Sequence, residues 1–204
     1  MGDFVMAEKV LDFYIDFTSP FTYLCNIKLP DLAAKYGYRL AYHPIDIPTA
    51  KLAAGNYGPS NRQVPAKIKA LMQDLHRWAE HYGVPFTFPK GLNAWRMNIG
   101  TFFAIENGKA RQYVDEAFRL VWAEGVDPND DAVLRRLART VGLDEDAFMA
   151  YVSSREGEKA YEASRVAAHA RGVYGVPIMM VDDQIWWGND RLMFVEEYLK
   201  AHAA

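Results

Sequence analysis

The stretch Phe13-Tyr14-Ile15-Asp16-Phe17-Thr18-Ser19-Pro20-Phe21-Thr22-Tyr23 begins as a strand and becomes a helix within three residues. Val10, Leu11, Phe13, Tyr14, Ile15 and Phe17 have the β-branched, aromatic and aliphatic make-up of a strand covered on both faces. Thr18-Ser19-Pro20 stops it. Serine is a favoured N-cap, and proline at the first helical position loses only an N–H that would have had no partner. Ser19 therefore stands where a helix opens, its hydroxyl beside free backbone N–H groups and the positive end of the helix dipole.

Working outward, Phe21, Leu24, Cys25, Leu29, Leu32 and Ala33 recur at helical spacing, which predicts a helix over 20–36 closed by Gly37. Pro30 lies inside this pattern and predicts a kink or break. Arg39 to His43 alternates as a second strand and ends at Pro44. Strand, helix, strand implies a parallel pair with a right-handed crossover. Residues 45–61 then read as a long loop, of the kind that carries sites.

A helical series follows, over 64–82, 96–106, 112–124, 130–141, 145–153 and 156–171. The end changes character. Val176 to Val181 reads as a strand, Asp182-Asp183 as a hairpin turn and Gln184 to Trp187 as the return strand. Gly188-Asn189-Asp190 opens a last helix. The order βαβ, helical block, ββα predicts an α/β chain with a thioredoxin-like sheet. Residues 1–62 and 172–204 would form that unit and 63–171 an all-helical insertion.

Composition bounds the function. The chain has 204 residues, half of them hydrophobic, with a net charge of −3 and no dense Lys/Arg run, which argues against nucleic-acid and anionic-membrane partners. It shows neither an apolar run near membrane-spanning length nor a signal-peptide pattern, so a soluble cytoplasmic protein is expected, with Met1 to Val5 a dispensable tail. Cys25 is the one cysteine, and an internal disulfide, a CxxC pair and a cysteine-rich zinc site are all excluded. Its place on the apolar stripe reads as core. His76 and His81 are five apart and do not share a helix face, so no metal site is expected.

Redox proteins with this layout carry CxxC at the first helix start; here those four positions are Ser19-Pro20-Phe21-Thr22. A hydroxyl forms no disulfide, but it can donate to a thiolate brought in from outside. A free thiol titrates near pH 8.5, and lowering that by about two units takes roughly 2.7 kcal/mol. A charge-assisted hydrogen bond contributes about 1.5–3 kcal/mol and a helix end up to about 2 kcal/mol. Taken locally, Ser19 reads equally as a plain cap. Val176-Pro177 precedes the hairpin, where a cis-proline would face the first turn. Gly188-Asn189-Asp190 offers N–H groups for a carboxylate and Asp190 for an ammonium, or is an ordinary cap. Lys51 and Gly58-Pro59-Ser60-Asn61-Arg62 supply two cations and an amide for an anion, or a solvated loop.

Together, Phe13 to Phe21, Gly55-Asn56-Tyr57-Gly58-Pro59-Ser60-Asn61-Arg62, Arg96-Met97-Asn98-Ile99-Gly100, Gly175-Val176-Pro177 and Trp186-Trp187-Gly188-Asn189-Asp190-Arg191-Leu192 resemble the 2-hydroxychromene-2-carboxylate isomerase family. That family is glutathione-dependent, serves naphthalene breakdown and is related to kappa-class glutathione transferases and DsbA-like proteins. The resemblance implies that Ser19 is the catalytic residue and contacts the glutathione sulfur. Val176, Pro177, Trp187, Gly188, Asn189 and Asp190 would bind the rest of glutathione. Lys51, Asn61, Arg62 and Leu92 would meet a small aromatic carboxylate, with Leu92 standing where a familiar member has tyrosine. A homodimer is implied as well. A kappa-like conjugating transferase and a non-catalytic DsbA-like binding protein are the competing readings.

Overall fold

The computed structural model describes residues 8–203, the Arg62 side chain excepted. The expected tail, Met1 to Val5, lies outside the described residues. Four strands form one mixed sheet in the order β2-β1-β3-β4: β1 (Val10–Ile15), β2 (Arg39–Pro44), β3 (Ile178–Val181) and β4 (Gln184–Trp187). β1 and β2 run parallel, from Val10 opposite Arg39 to Ile15 opposite Pro44. β3 runs antiparallel to β1, with Tyr14 opposite Ile178, and β4 returns beside it. The chain belongs in the thioredoxin-like α/β class that the element order implies, with helices making up the long middle.

Alternation along β1 sorts its side chains between two cores. Leu11, Phe13 and Ile15, continued by Phe17, are buried with Leu24, Cys25 and Leu29 and with Phe118, Trp122, Leu134 and Phe148 from the helical stretch. Tyr14 faces the other way and packs with Ile45, Ala50, Ala168, Val173, Ile178 and Met180. Cys25 is fully buried beside the Met179 sulfur, and burial pushes its thiol far above the usual range. It is a core residue, as its stripe implies.

Four expectations need correction. The helix over 20–36 is two helices, α1 (Pro20–Asn26) and α2 (Leu29–Lys35), broken at Ile27-Lys28 so that Pro30 falls in the first turn of α2, where its missing N–H costs nothing. Residues 45–61 are not all loop. Asp46 caps α3 (Ile47–Ala53), its carboxylate accepting from Thr49 N at 3.0 Å, and Pro48 sits in the first turn. The helix expected over 112–124 is α6 (Ala110–Phe118), which widens into a π turn over Arg119–Ala123. Gly188-Asn189-Asp190 leads into a short 3-10 turn (Asn189–Arg191) ahead of the last helix, Leu192–Ala201.

The remaining helices are α4 (Pro65–Tyr82), α5 (Trp95–Glu106), α7 (Asp131–Val141), α8 (Glu145–Val152), α9 (Arg155–Ala170) and that last one, α10. Among the described residues no helix is long and apolar enough to cross a membrane. The motif Arg96 to Gly100 shows its purpose in α5. Arg96 ties the helix start to Asn129 and to Asp131 (2.7 Å). Gly100 admits close neighbours, since a Cβ there would lie 2.3 Å from the Tyr113 hydroxyl and 2.6 Å from the Phe148 ring.

Candidate active site

Ser19 caps α1 from extended backbone, and its Oγ accepts from Thr22 N at 3.2 Å. The residue is buried, with 6 % of its surface exposed. Because Oγ is already an acceptor, its proton is left to be donated elsewhere. The break at Ile27 makes α1 only seven residues long, so the dipole at its start is smaller than that of one unbroken helix over 20–36. More of the work of holding an anion falls to the hydroxyl.

The turn before Ser19 is held from several sides. Ser19 N donates to Asp16 O at 3.0 Å. The Asp16 carboxylate, 3 % exposed, accepts from Thr18 N (2.9 Å), from Ile47 N at the start of α3 (3.3 Å) and from Asn98 Nδ2 (3.4 Å). Burial pushes this carboxyl above its usual range, and the Thr18, Ile47 and Asn98 donors offset part of that. At Phe17 both backbone groups are taken by side chains of the helical stretch: its N–H donates to Asn98 Oδ1 (3.3 Å) and its carbonyl accepts from Trp122 Nε1 (2.8 Å). Leaving that buried carbonyl unpaired would cost about 1–3 kcal/mol. Asp16, Asn98 and Trp122 are the residues that sequence reasoning missed. Asp16 lies in the motif that opens the chain and Asn98 in Arg96 to Gly100, but neither motif says which partners they meet.

The glutathione-side candidates gather at the same end of the sheet. The Val176-Pro177 peptide bond is cis. Continuing the pairing of Tyr14 with Ile178 puts Pro177 beside Ile15, and so beside the strand end that leads to Ser19. Gly188 N donates to Pro177 O at 3.0 Å. Gly188 has φ +108°, and a Cβ there would lie 2.4 Å from Asp190 Oδ1, so this position demands glycine. The Asn189–Arg191 turn packs against α1. Asn189 is 3 % exposed, and its side chain leans toward the Tyr82 hydroxyl without closing a full hydrogen bond through Nδ2. A cavity of about 460 Å³ opens beside Asn189 and Asp190, lined also by Lys28, Trp78 and Tyr82. Asp190 is paired with Arg191 at 2.6 Å. Trp187 is exposed and meets Tyr174 edge-on (5.1 Å between ring centroids), while Trp186 turns inward onto Tyr198 (5.3 Å).

The substrate-side candidates are spread more widely. Lys51 rides the last turn of α3, not a loop, and its ammonium donates to the Gly58 carbonyl. Asn61 is exposed and its Oδ1 accepts from Lys67 at 3.4 Å. The backbone of Arg62 lies in the 3-10 turn Asn61–Gln63; its side chain lies outside the described residues. Leu92 and Phe88 are exposed in the segment before α5, as is Trp95 at its first position. Phe86 stacks on Trp122 and Phe88 meets it edge-on, both at 5.8 Å, which brings this apolar segment alongside the turn that Trp122 supports. No group of three or more His, Cys, Asp or Glu that could hold a metal occurs among the described residues.

The chain matches the family model of DSBA-like thioredoxin domains over residues 10–200. A four-stranded mixed sheet with a helix-starting turn at the end of β1 and a cis-proline beside it defines that class. The chain is 51 % identical over 191 residues to the 2-hydroxychromene-2-carboxylate isomerase of Sphingobium xenophagum, covering 94 % of this chain and 98 % of the relative. It is 42 % identical to the enzyme of the same name from Pseudomonas putida, covering 92 % of each. A solved structure of a 2-hydroxychromene-2-carboxylate isomerase superposes with a TM-score of 0.90 at 41 % identity, covering 94 % of this chain and 95 % of the other. The chain belongs to the 2-hydroxychromene-2-carboxylate isomerase family and is an enzyme of the isomerase class.

Proposed function

We propose that this protein interconverts 2-hydroxychromene-2-carboxylate and trans-o-hydroxybenzylidenepyruvate with glutathione as a recycled cofactor. The near full-length identity to isomerases of that name supports the reaction. The observation that carries the glutathione reading is Ser19, a buried capping hydroxyl whose oxygen is engaged by Thr22 N and whose proton is not. Buried Asn189, on the wall of a cavity shared with Asp190 and Lys28, fits the charged end of a γ-glutamyl peptide.

When bound, glutathione supplies a thiolate that adds reversibly to the conjugated double bond of the ring-opened substrate, so that the bond is single while it rotates. Ser19 donates its hydroxyl proton to that sulfur. A hydrogen bond to a charged group contributes about 1.5–3 kcal/mol, or about one to two units of thiol pKa. Val176, Pro177, Trp187, Gly188, Asn189 and Asp190 hold the peptide, with the Gly188–Pro177 hydrogen bond fixing their relative placement. Lys51, Asn61 and Arg62 would receive the organic acid, their cations able to offset negative charge developing on its ketone oxygen. Leu92, with Phe88 and Trp95, provides apolar surface for the ring. In this reading the protein is cytoplasmic, homodimeric and active in aromatic hydrocarbon breakdown.

The test follows the ultraviolet absorbance of 2-hydroxychromene-2-carboxylate with and without glutathione, and assays free glutathione after many turnovers. Conversion that needs glutathione and leaves it unspent is the expected result. Stoichiometric loss of glutathione into a conjugate would mean a transferase. No heat of glutathione binding in calorimetry would remove the cofactor.

A further inference from the structure

Arg165 on α9 belongs to none of the groups above. Its guanidinium lies over the ring of Trp95, 5.3 Å from the centroid, and near that of Tyr161 at 5.8 Å. A cation over an aromatic face is held by the ring's charge distribution and keeps its N–H donors for hydrogen bonds. Of these, Nη1 donates to Glu162 at 2.7 Å, one turn earlier on the same helix. Nε is buried and has no acceptor among the described residues. The Arg165 side chain is 15 % exposed and that of Glu162 60 %, so the acid engages one nitrogen from the solvent side and leaves Nε unmatched. A cation largely out of water with an unmatched donor is a costly arrangement, and an incoming anion relieves it.

α9 brings this group to the end of the sheet that holds Ser19. Ser164 Oγ donates to Pro44 O at 2.9 Å, at the end of β2. Tyr161, one turn before Arg165, accepts from Asn98 Nδ2 at 3.0 Å, and the same Asn98 binds Phe17 N and Asp16. α3, which carries Lys51, packs against α9. The carboxyl ends of strands are where α/β sheets bind their ligands. The Lys51 ammonium already donates to the Gly58 carbonyl, whereas Arg165 keeps an edge unmatched.

We propose that Arg165 holds the carboxylate of the aromatic acid substrate, with the Trp95 ring against the substrate's own, and so makes the site selective for acids. The assignment rests on the isomerase reading above. Two measurements keep the failures apart. Tryptophan fluorescence of wild type, Arg165→Met and Arg165→Lys is titrated with 2-hydroxycinnamate and with its methyl ester, in the absence of turnover. Arg165→Met should weaken the acid by about 10- to 100-fold, the scale of one hydrogen bond to a charged group, and the ester little, with Arg165→Lys recovering part. In turnover, KM for 2-hydroxychromene-2-carboxylate should rise by a similar factor while KM for glutathione stays within about twofold. Should Arg165→Met not fold, Arg165→Gln, shorter but uncharged and hydrogen-bonding, serves the same arm. Equal affinity of variant and wild type for the acid, or no saturable binding to wild type, overturns the proposal even where isomerase activity is found. A wild type without isomerase activity whose acid binding still depends on Arg165 overturns the isomerase reading and leaves the anion site standing.

Discussion

β1 and β2 lie side by side and parallel, and each ends in a capped helix with a proline in its first turn. Ser19 caps the helix after β1 and Asp46 the helix after β2, each side-chain oxygen accepting from the N–H three residues on, at 3.2 and 3.0 Å. As caps the two are nearly equivalent. Chemically they are opposites. The serine keeps a proton to give, whereas the ionised aspartate accepts only and repels an anion. The same backbone device thus yields one place fit for a thiolate and one that excludes it, and the chemistry is decided by one side chain.

The sharpest way to break this contrast is to remove the donor. Ser19→Ala should lower kcat by about 10²–10³-fold, the scale for one lost oxyanion-type donor, with the melting temperature little changed; near-wild-type turnover at neutral pH would take Ser19 out of the mechanism. Ser19→Asp makes the two helix starts alike and should be at least as damaging, since it keeps a cap and adds repulsion. A kcat above that of Ser19→Ala would contradict this reading.

Asp46→Ala should act mainly on stability. Losing an aspartate cap costs about 0.5–2 kcal/mol, read as an earlier urea or thermal midpoint. Any kinetic change should appear in KM for the organic acid, because α3 carries Lys51, and not in glutathione affinity. A loss of kcat matching that of Ser19→Ala would show that both helix starts serve the chemistry.

The smallest effect is expected at Glu124, which closes the π turn that carries Trp122. Glu124, bonded to Arg136 and Arg119, has its carboxyl held down at about 2. A depressed acid contributes stability above its unfolded pKa of about 4.3, and that contribution is lost as pH falls through about 2. The group is largely open to solvent, so the effect is minor. Glu124→Gln should flatten the acid arm of the stability curve slightly and leave activity at neutral pH unchanged. An unaltered acid arm would show that the pairs contribute nothing.

Most of the sheet was legible because its signals are local. Alternation, a capping Ser-Pro and a hairpin turn depend on neighbours in sequence. The α1–α2 break was signalled by Pro30, but its position was not, because proline tolerates the first turn of a new helix and leaves the preceding turn to close one residue or several before it. α3 was missed although Asp46-Ile47-Pro48 repeats the logic of Ser19-Pro20: the glycines and prolines that follow weighed toward a loop. Within the site, Pro177 and Gly188 meet through a hydrogen bond at the end of β1 that leads to Ser19. Asp16, Asn98 and Trp122 could not be placed, since their partners lie up to 105 residues away and no periodicity records that pairing.

Phe17 carries a consequence for how the chain can be divided. Its N–H and its carbonyl are each bound by a side chain from a different helix of the middle stretch, Asn98 on α5 and Trp122 in the π turn. A shortened protein built from residues 1–62 and 172–204 would keep every strand of the sheet and Ser19. It would also leave both the N–H and the carbonyl of Phe17 without these partners, two residues upstream of Ser19. The helices are thus part of the tool that shapes the active turn, and a graft of the Ser19 motif onto another sheet must bring its own asparagine and tryptophan.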